Sequence, residues 1–182
     1  MKVRHLILIV IFFGIIYLIT DYNQSYRTIN EVLYSENKSN NFFSIKQIIG
    51  GSEYNKKAFY FILNDSDQVV GVSLNKGIFG WKFSRYSTGT GLEINKEQRV
   101  SKLSISSLQE TYKHYFGLTS YANVQKIMIN QTIEAELINL KEHLANVNDI
   151  ENTYLWYANI NDKANNFIVE VYDDQNKLID SE

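Results

Sequence analysis

The pattern of hydrophobic positions changes character after the first twenty residues. Residues 6–19 form an unbroken apolar run, which is preceded by Lys2 and Arg4 and followed by Asp21 and a polar stretch. A helix that is apolar on every side has no face for water, so it belongs in a lipid bilayer or in a translocation channel. The sequence therefore predicts an N-terminal membrane anchor or a signal peptide over residues 1–21.

The flanks of the apolar run favour an anchor that stays attached. Lys2 and Arg4 can extend to one membrane interface, and Tyr17 and Tyr22 suit the other. No pair of small residues that resembles a signal-peptide cleavage site follows the run. Because basic residues oppose translocation, the N-terminus should stay in the cytoplasm while the remainder is exported. We expect a single-pass protein of the cell membrane with its C-terminal domain outside; a cleaved signal peptide is the alternative.

Short alternating runs dominate the rest of the chain. Residues 57–86 contain three β-rich runs separated by turn sequences, which predicts an antiparallel meander. Four further strand-like segments follow at residues 123–130, 132–140, 153–160 and 165–174, and the tail predicts a turn with a short returning strand. Before the meander, Ile29, Val32 and Leu33 lie at helical spacing, which indicates a membrane-proximal helix or a partly ordered stalk.

These patterns predict a β-dominant α+β fold. In this organisation an N-terminal transmembrane helix leads into a membrane-proximal helical segment over residues 22–56. An extracytoplasmic β-rich domain follows over residues 57–180, with the antiparallel meander first and a small β-sandwich-like unit after it.

Three segments have ambiguous local patterns. Residues 41–51 resemble a short helix, with Ser44 as a possible cap and the glycines at 50–51 as a stop. Residues 115–120 favour a strand, although Gly117 could also end a helix that begins with the capping-box pair Ser107 and Glu110. Residues 132–144 fit a strand and a helix almost equally well, so both alternatives stay open.

Composition excludes several kinds of chemistry. The chain has 182 residues and no cysteine, so it has no disulfide, thiolate nucleophile or zinc-thiolate site. Its formal net charge is −2, and both signs of charge are mixed along the chain. Nucleic-acid binding proteins cluster Lys and Arg on one face, so we expect no nucleic-acid partner. No cofactor-binding motif is recognisable, and we expect no cofactor.

Two acidic pairs resemble functional loops but fit turns better. Residues 64–67 alternate acidic and polar side chains, but the glycine and the bidentate glutamate of a calcium loop are missing at their required positions. Asp173 and Asp174 introduce the last predicted hairpin, where carboxylates commonly accept backbone N–H bonds. The sequence therefore predicts turns at both places and no metal site.

Three stretches resemble a known group of proteins. They are the hairpin VVGVSLNKGIFGWKF at residues 69–83, the strand LWYANI at 155–160, and FIVEVYDDQNKLI at 167–179. Together they resemble uncharacterised membrane-anchored or secreted proteins of bacilli and related Gram-positive bacteria, over roughly residues 57–179. The resemblance implies a similar β-rich fold outside the membrane, and it implies no activity.

Candidate catalytic residues are few. His114 and His143 are the histidines outside the N-terminal segment, and neither lies in a recognised hydrolase or metalloprotease motif. We expect each to be a surface or half-buried structural residue. Strand carboxylates offer another route, because Glu134, Glu136 and Glu170 could face a cleft as a glycosidase pair does. Alternation places Glu134 and Glu136 on one face, but a solvated sheet face explains that pattern equally well. We assign no catalytic residue.

Residues 77–91 are the stretch most like a binding site. They contain four of the nine glycines, but no helix follows as a phosphate-binding loop requires. The preceding Asn-Lys-Gly sequence predicts a tight turn in which Gly77 adopts a positive φ. Strand alternation then places Phe79, Trp81 and Phe83 on one face. These aromatics either fill the core or form an exposed platform for a sugar or a peptide, and they are our candidate binding residues.

The sequence favours a binding role over catalysis. We expect a membrane-anchored extracytoplasmic domain whose partner is an envelope protein or a cell-wall ligand. The first alternative is a cell-envelope hydrolase or transferase that uses strand carboxylates. The second is a secreted immunity or inhibitor protein, whose partner would be another exported protein.

Overall fold

The computed structural model describes residues 2–39, 44–87, 89–92, 103–105, 113–144, 150, 152–160 and 167–181. The predicted class is confirmed: an N-terminal apolar helix precedes antiparallel sheets in a β-dominant α+β arrangement. The elements are α1 Lys2–Asn23, α2 Ile29–Ser39, β1 Gln47–Tyr54, β2 Lys57–Leu63, β3 Gln68–Lys76, β4 Trp81–Tyr86, β5 Thr90–Gly91, β6 Leu103–Ile105, β7 Lys113–Thr119, β8 Val124–Ile129, β9 Ile133–Glu134, β10 Glu136–Asn139, α3 Leu140–His143, β11 Tyr154–Ile160, β12 Val169–Asp173 and β13 Leu178–Ser181.

Helix α1 has an apolar surface that no other described part of the chain covers. Leu6 and Phe13 are 63% and 64% exposed, and every other side chain described between residues 5 and 20 is exposed as well. Residues His5–Asn23 form a helix long and apolar enough to cross a membrane. The burial changes at Asp21, which is only 6% exposed. The helix therefore meets the folded domain at its C-terminal end.

Helix α2 follows after a short connection and begins with a capping box. The Thr28 hydroxyl accepts a hydrogen bond from the Glu31 N–H at 3.2 Å, and the Glu31 carboxylate accepts one from the Thr28 N–H at 3.4 Å. Ile29, Val32 and Leu33 are buried against the first sheet. Their helical spacing in the sequence correctly predicted this face.

Sheet A contains β1 to β4 in chain order, with β5 paired to β3. This confirms the predicted meander. The helix predicted over residues 41–51 was wrong: residues 44–46 are not helical, and strand β1 begins at Gln47; residues 41–43 lie outside the described part. Gly50 does not stop a helix: it has a φ of 148° and lies at a β-bulge opposite Phe61. Sheet A therefore begins before residue 57.

The later strands form two further antiparallel sheets. Sheet B has the order β10-β11-β7-β6, and sheet C has the order β13-β12-β8-β9. The ambiguous residues 132–144 contain both kinds of structure: strands over Ile133–Glu134 and Glu136–Asn139, then a single helical turn. Buried Ala135 separates the two strands, which pair in different sheets. The chain thus crosses from sheet C to sheet B at this residue.

The described elements form four layers, in the order α2, sheet A, sheet B and sheet C. Three buried clusters separate these layers. Sheet B is covered on both faces, because Phe116 and Leu155 pack towards sheet A while Tyr115 and Trp156 pack towards sheet C. The period-two alternation of these strands directs successive side chains into two different cores.

Candidate functional site

The connection between β3 and β4 differs from the predicted tight turn. The Gly77 N–H donates to the Gly80 carbonyl oxygen at 2.7 Å, so the connection spans residues 77–80. Gly80 has the positive φ, at 148°, and Gly77 does not. Phe79 consequently lies in the loop and not on a strand. The prediction was wrong because the conformation of this loop depends on a contact with a distant part of the chain.

That contact joins the loop to the segment that follows α1. The Tyr26 N–H donates to the Trp81 carbonyl oxygen at 2.9 Å, and the Trp81 N–H donates to the Tyr26 carbonyl oxygen at 2.8 Å. A Cβ atom at Gly80 would lie 2.2 Å from this Tyr26 oxygen, which is far inside van der Waals contact. A glycine is therefore needed at position 80 for the two backbones to approach this closely.

Side chains reinforce this junction between α1 and the sheet. The buried Asp21 carboxylate forms an ion pair with the ammonium of the half-buried Lys82. The rings of Tyr22 and Phe79 meet edge to face, with their centroids 5.6 Å apart. Backbone bonds, an ion pair and an aromatic contact thus hold the C-terminal end of α1 against sheet A.

The three candidate binding aromatics have different surroundings. Trp81 is 5% exposed and packs in the cluster between α2 and sheet A, and Phe83 is half-buried against the same cluster. The ammonium of Lys76 lies 5.2 Å from the centroid of the Trp81 ring. Phe79 is 40% exposed. A stacking platform requires exposed ring faces, so the burial of Trp81 agrees with the core interpretation.

A separate cavity of about 440 Å³ lies between the end of the β1–β2 hairpin and the start of β7. His114 and Phe59 form one wall, where their rings stack with centroids 4.6 Å apart and an angle of 17° between the planes. The residues that line it include Ser52, Tyr54, Asn55, Lys57, Phe59 and His114. Sequence reasoning missed this site because its lining residues come from segment 52–59 and from residue 114, which only the packing of sheet A on sheet B brings together.

A polar contact connects Ser52, one of the cavity residues, to sheet B. The Tyr157 hydroxyl donates to the Glu136 carboxylate and also hydrogen-bonds with Ser52. Burial raises the pKa of the Tyr157 hydroxyl well above its usual range, and the neighbouring Glu136 raises it further. The phenol therefore stays protonated at neutral pH: it donates to Glu136 within sheet B, and its oxygen accepts a hydrogen bond from Ser52 of sheet A.

The candidate carboxylates do not share one cleft. Glu136 belongs to sheet B, whereas Glu134 lies in sheet C and approaches the Lys126 ammonium at 4.0 Å. Their predicted common face was wrong, because the chain changes sheets between them. Glu170 is 4% exposed and accepts a hydrogen bond from Gln131 at 3.0 Å. The described residues thus give each carboxylate its own local partner.

The remaining candidates have structural surroundings. His143 is exposed in the single turn of α3. The Asp173 carboxylate accepts hydrogen bonds from the N–H groups of Gln175 at 2.9 Å and Lys177 at 2.8 Å, which confirms its predicted role in a turn. Within the described ranges, no group of three or more His, Cys, Asp or Glu residues could hold a metal ion.

Comparisons with known proteins do not assign the chain to a family. No protein-family model, no curated protein and no solved structure matches the chain. The class of protein therefore follows from its architecture alone: a β-sheet domain that is attached at one end to an apolar helix of membrane-spanning length.

Proposed function

We propose that this protein is a single-pass membrane protein whose β-sheet domain lies outside the cytoplasm and binds a ligand or a protein partner. The observation that carries the proposal is the contrast along α1. Its apolar side chains are exposed up to Ile19, whereas Asp21 is buried in the domain. Exposed apolar surface of this extent is costly in water and favourable in lipid. The domain then lies directly against the membrane that the helix crosses.

The orientation follows from charge. Lys2 and Arg4 precede the apolar segment, and the positive-inside rule keeps such residues in the cytoplasm. The domain would therefore face the envelope, where an envelope protein or a cell-wall ligand is the available partner. The resemblance to proteins of Gram-positive bacteria is consistent with that location.

The cavity supports the binding role. Its volume of about 440 Å³ lies in the range of small-molecule sites. Lys57 and His114 are among its lining residues, and the stacked ring of Phe59 provides an apolar surface. The described lining residues include no carboxylate. This composition favours a ligand or partner group with an acidic or strongly polar substituent and an apolar body.

The topology can be tested with single cysteines, because the chain contains none. Ser66 is exposed in the β2–β3 turn, so Ser66→Cys should react with a membrane-impermeant thiol reagent in intact cells. The labelled protein should sediment with the membranes. Labelling that requires cell lysis would contradict the orientation, and release of the protein into the medium would contradict the anchor.

The binding role needs a positional test. A photo-crosslinking amino acid at Tyr54, beside the cavity, should capture a species that the same amino acid at Asp65 does not. Asp65 is the matched control, because it is exposed in a turn at the opposite end of the same sheet. Identical products from the two positions, or no product from Tyr54, would contradict the proposed binding site.

A further inference from the structure

Two turns lie side by side at one end of sheet A. Lys57 of β2 pairs with Asn75 of β3, and the Lys76 N–H donates to the Lys56 carbonyl oxygen at 2.7 Å. The turn between β1 and β2 is therefore adjacent to the loop at residues 77–80. The β2–β3 turn at residues 64–67 lies at the opposite end of the sheet.

The side chains at this end have an unusual combination of properties. Three of them are apolar or aromatic and exposed: Tyr54 at 72%, Ile78 at 76% and Phe79 at 40%. Three lysines are exposed among them. We call this surface the sheet A tip; it consists of Tyr54, Lys56, Lys57, Lys76, Ile78 and Phe79. The exposed Glu53 lies nearby, but the three lysines outnumber this acid, so the tip has an excess of positive charge.

The position of the tip relative to α1 is set by the junction described above. The ring of Phe79 contacts that of Tyr22, which lies three residues beyond Ile19, the last residue of the apolar run. At 1.5 Å per helical residue, this separation is about 4.5 Å along the helix axis. If α1 spans a bilayer, the Phe79 ring then lies at the depth of the headgroups.

We propose that the sheet A tip binds the surface of the leaflet from which the C-terminal end of α1 emerges, with a preference for anionic lipids. Ile78 and Phe79 enter the interfacial layer, and Lys56 and Lys76 contact lipid phosphates. Aromatic and apolar side chains are favoured in this layer, and lysines are attracted to anionic headgroups. This inference rests on the proposed membrane anchoring, and it adds a second attachment point that would hold the domain in one orientation.

Binding of the sheet A tip to lipid would also set the position of the cavity relative to the bilayer. Tyr54 and Lys57 belong to the tip and line the cavity as well. The cavity would consequently open next to the bilayer surface, and a ligand would reach it from the headgroup layer. This arrangement suits a ligand that is itself attached to the membrane.

Spin labels on single cysteines test the contact directly. The full-length protein is reconstituted in vesicles of phosphatidylcholine and phosphatidylglycerol, and collision rates with oxygen and with an aqueous nickel chelate are measured for each label. A label at Ile78→Cys should collide several-fold more with oxygen relative to nickel than a label at Ser66→Cys. Ile15→Cys, within α1, is the positive control.

The controls separate failure of this inference from failure of the anchor. If the Ile78→Cys label behaves like the Ser66→Cys label while Ile15→Cys remains in the bilayer, the tip does not bind lipid and the inference is overturned. If the Ile15→Cys label is itself accessible to nickel, the membrane anchor is wrong. Ile78 is 76% exposed, so its replacement should not disturb the fold.

The preference for anionic lipid needs a matched pair of variants. Replacing phosphatidylglycerol with phosphatidylcholine should move the Ile78→Cys label towards water. The double variant Lys56→Gln and Lys76→Gln should lose this dependence on lipid charge. The double variant Lys46→Gln and Lys141→Gln should retain it, because it removes the same charge from exposed lysines outside the tip. Equal behaviour of the two double variants would overturn the role assigned to the tip lysines.

Discussion

Gly80→Ala is the sharpest test of the junction between α1 and the sheet. The added methyl group would lie 2.2 Å from the Tyr26 carbonyl oxygen, and the residue has a φ of 148°. Alanine is strained in this conformation even without a clash. The substitution therefore imposes a backbone strain and also separates the two segments that Tyr26 and Trp81 join.

The structure provides a matched control for the strain. Gly50 has the same φ of 148°, but a Cβ atom there meets nothing within 4 Å. A sparsely populated backbone conformation costs about 1–3 kcal/mol, which applies to both glycines. At Gly80 the clash also removes the two hydrogen bonds between Tyr26 and Trp81, which contribute roughly 0.5–1.5 kcal/mol each. We expect Gly80→Ala to cost about 1–3 kcal/mol more than Gly50→Ala.

Two measurements on the full-length protein in detergent micelles check this expectation. Urea unfolding gives the free energy of each variant. Hydrogen exchange of peptides that contain Tyr26 or Trp81 reports the junction itself, because lost hydrogen bonds remove protection from exchange. Gly80→Ala should raise exchange in both peptides, whereas Gly50→Ala should leave them unchanged.

The contradicting result is equally specific. If the two variants lose the same free energy and the Tyr26 and Trp81 peptides keep their wild-type exchange, the close approach at Gly80 does not hold the junction. The position of the Phe79 ring beside Tyr22 would then lose its support, and the depth argued for the sheet A tip would lose its basis.

Three further predictions concern the core, the ion pair and pH. Trp81→Ala should destabilise the protein by roughly 3–5 kcal/mol in urea unfolding, whereas Phe79→Ala should cost within about 1 kcal/mol; equal costs would contradict the buried position of Trp81. A double-mutant cycle with Asp21→Asn and Lys82→Met should give a coupling energy of roughly 0.5–3 kcal/mol, and additive effects would show that the ion pair does not stabilise the junction. The folded state raises the pKa of the Tyr157 hydroxyl. Its contribution to the free energy of unfolding is therefore intact below the unfolded-state pKa of about 10, and it is lost as the pH rises from there towards the higher folded-state pKa. Tyr157→Phe should make the alkaline loss of unfolding free energy shallower, and an unchanged slope would contradict the raised pKa.

Local patterns predicted much of the fold correctly. The spacing of Ile29, Val32 and Leu33 identified the buried face of α2, because a helix places such residues on one side. The meander was recognised from turn residues between β-rich runs. The prediction was wrong at residues 47–51, where the glycines that suggested a helix stop belong to a bulged strand. This segment forms a strand because it pairs with β2, and its local sequence does not indicate that pairing.

Much less of the candidate site than of the fold could be predicted from the sequence. Phe79, Trp81 and Phe83 were recognised as a group, but their different exposures result from the packing of α2 and from the loop at residues 77–80. His114 was expected to be a surface or half-buried structural residue, but its stacking on Phe59 could not be read from the sequence. These two residues belong to different sheets, so only the packing of sheet A on sheet B brings their rings together.

The apolar helix, the buried face of α2 and the meander can all be predicted from local sequence patterns. Each depends on interactions between near neighbours or on the periodicity of one element. The tertiary structure alone decided the change of sheet at Ala135, the cavity beside His114, and the need for glycine at position 80. Each of these depends on contacts between segments far apart in the chain. No local pattern records such contacts, because the same residues would suit several partners until the sheets are stacked.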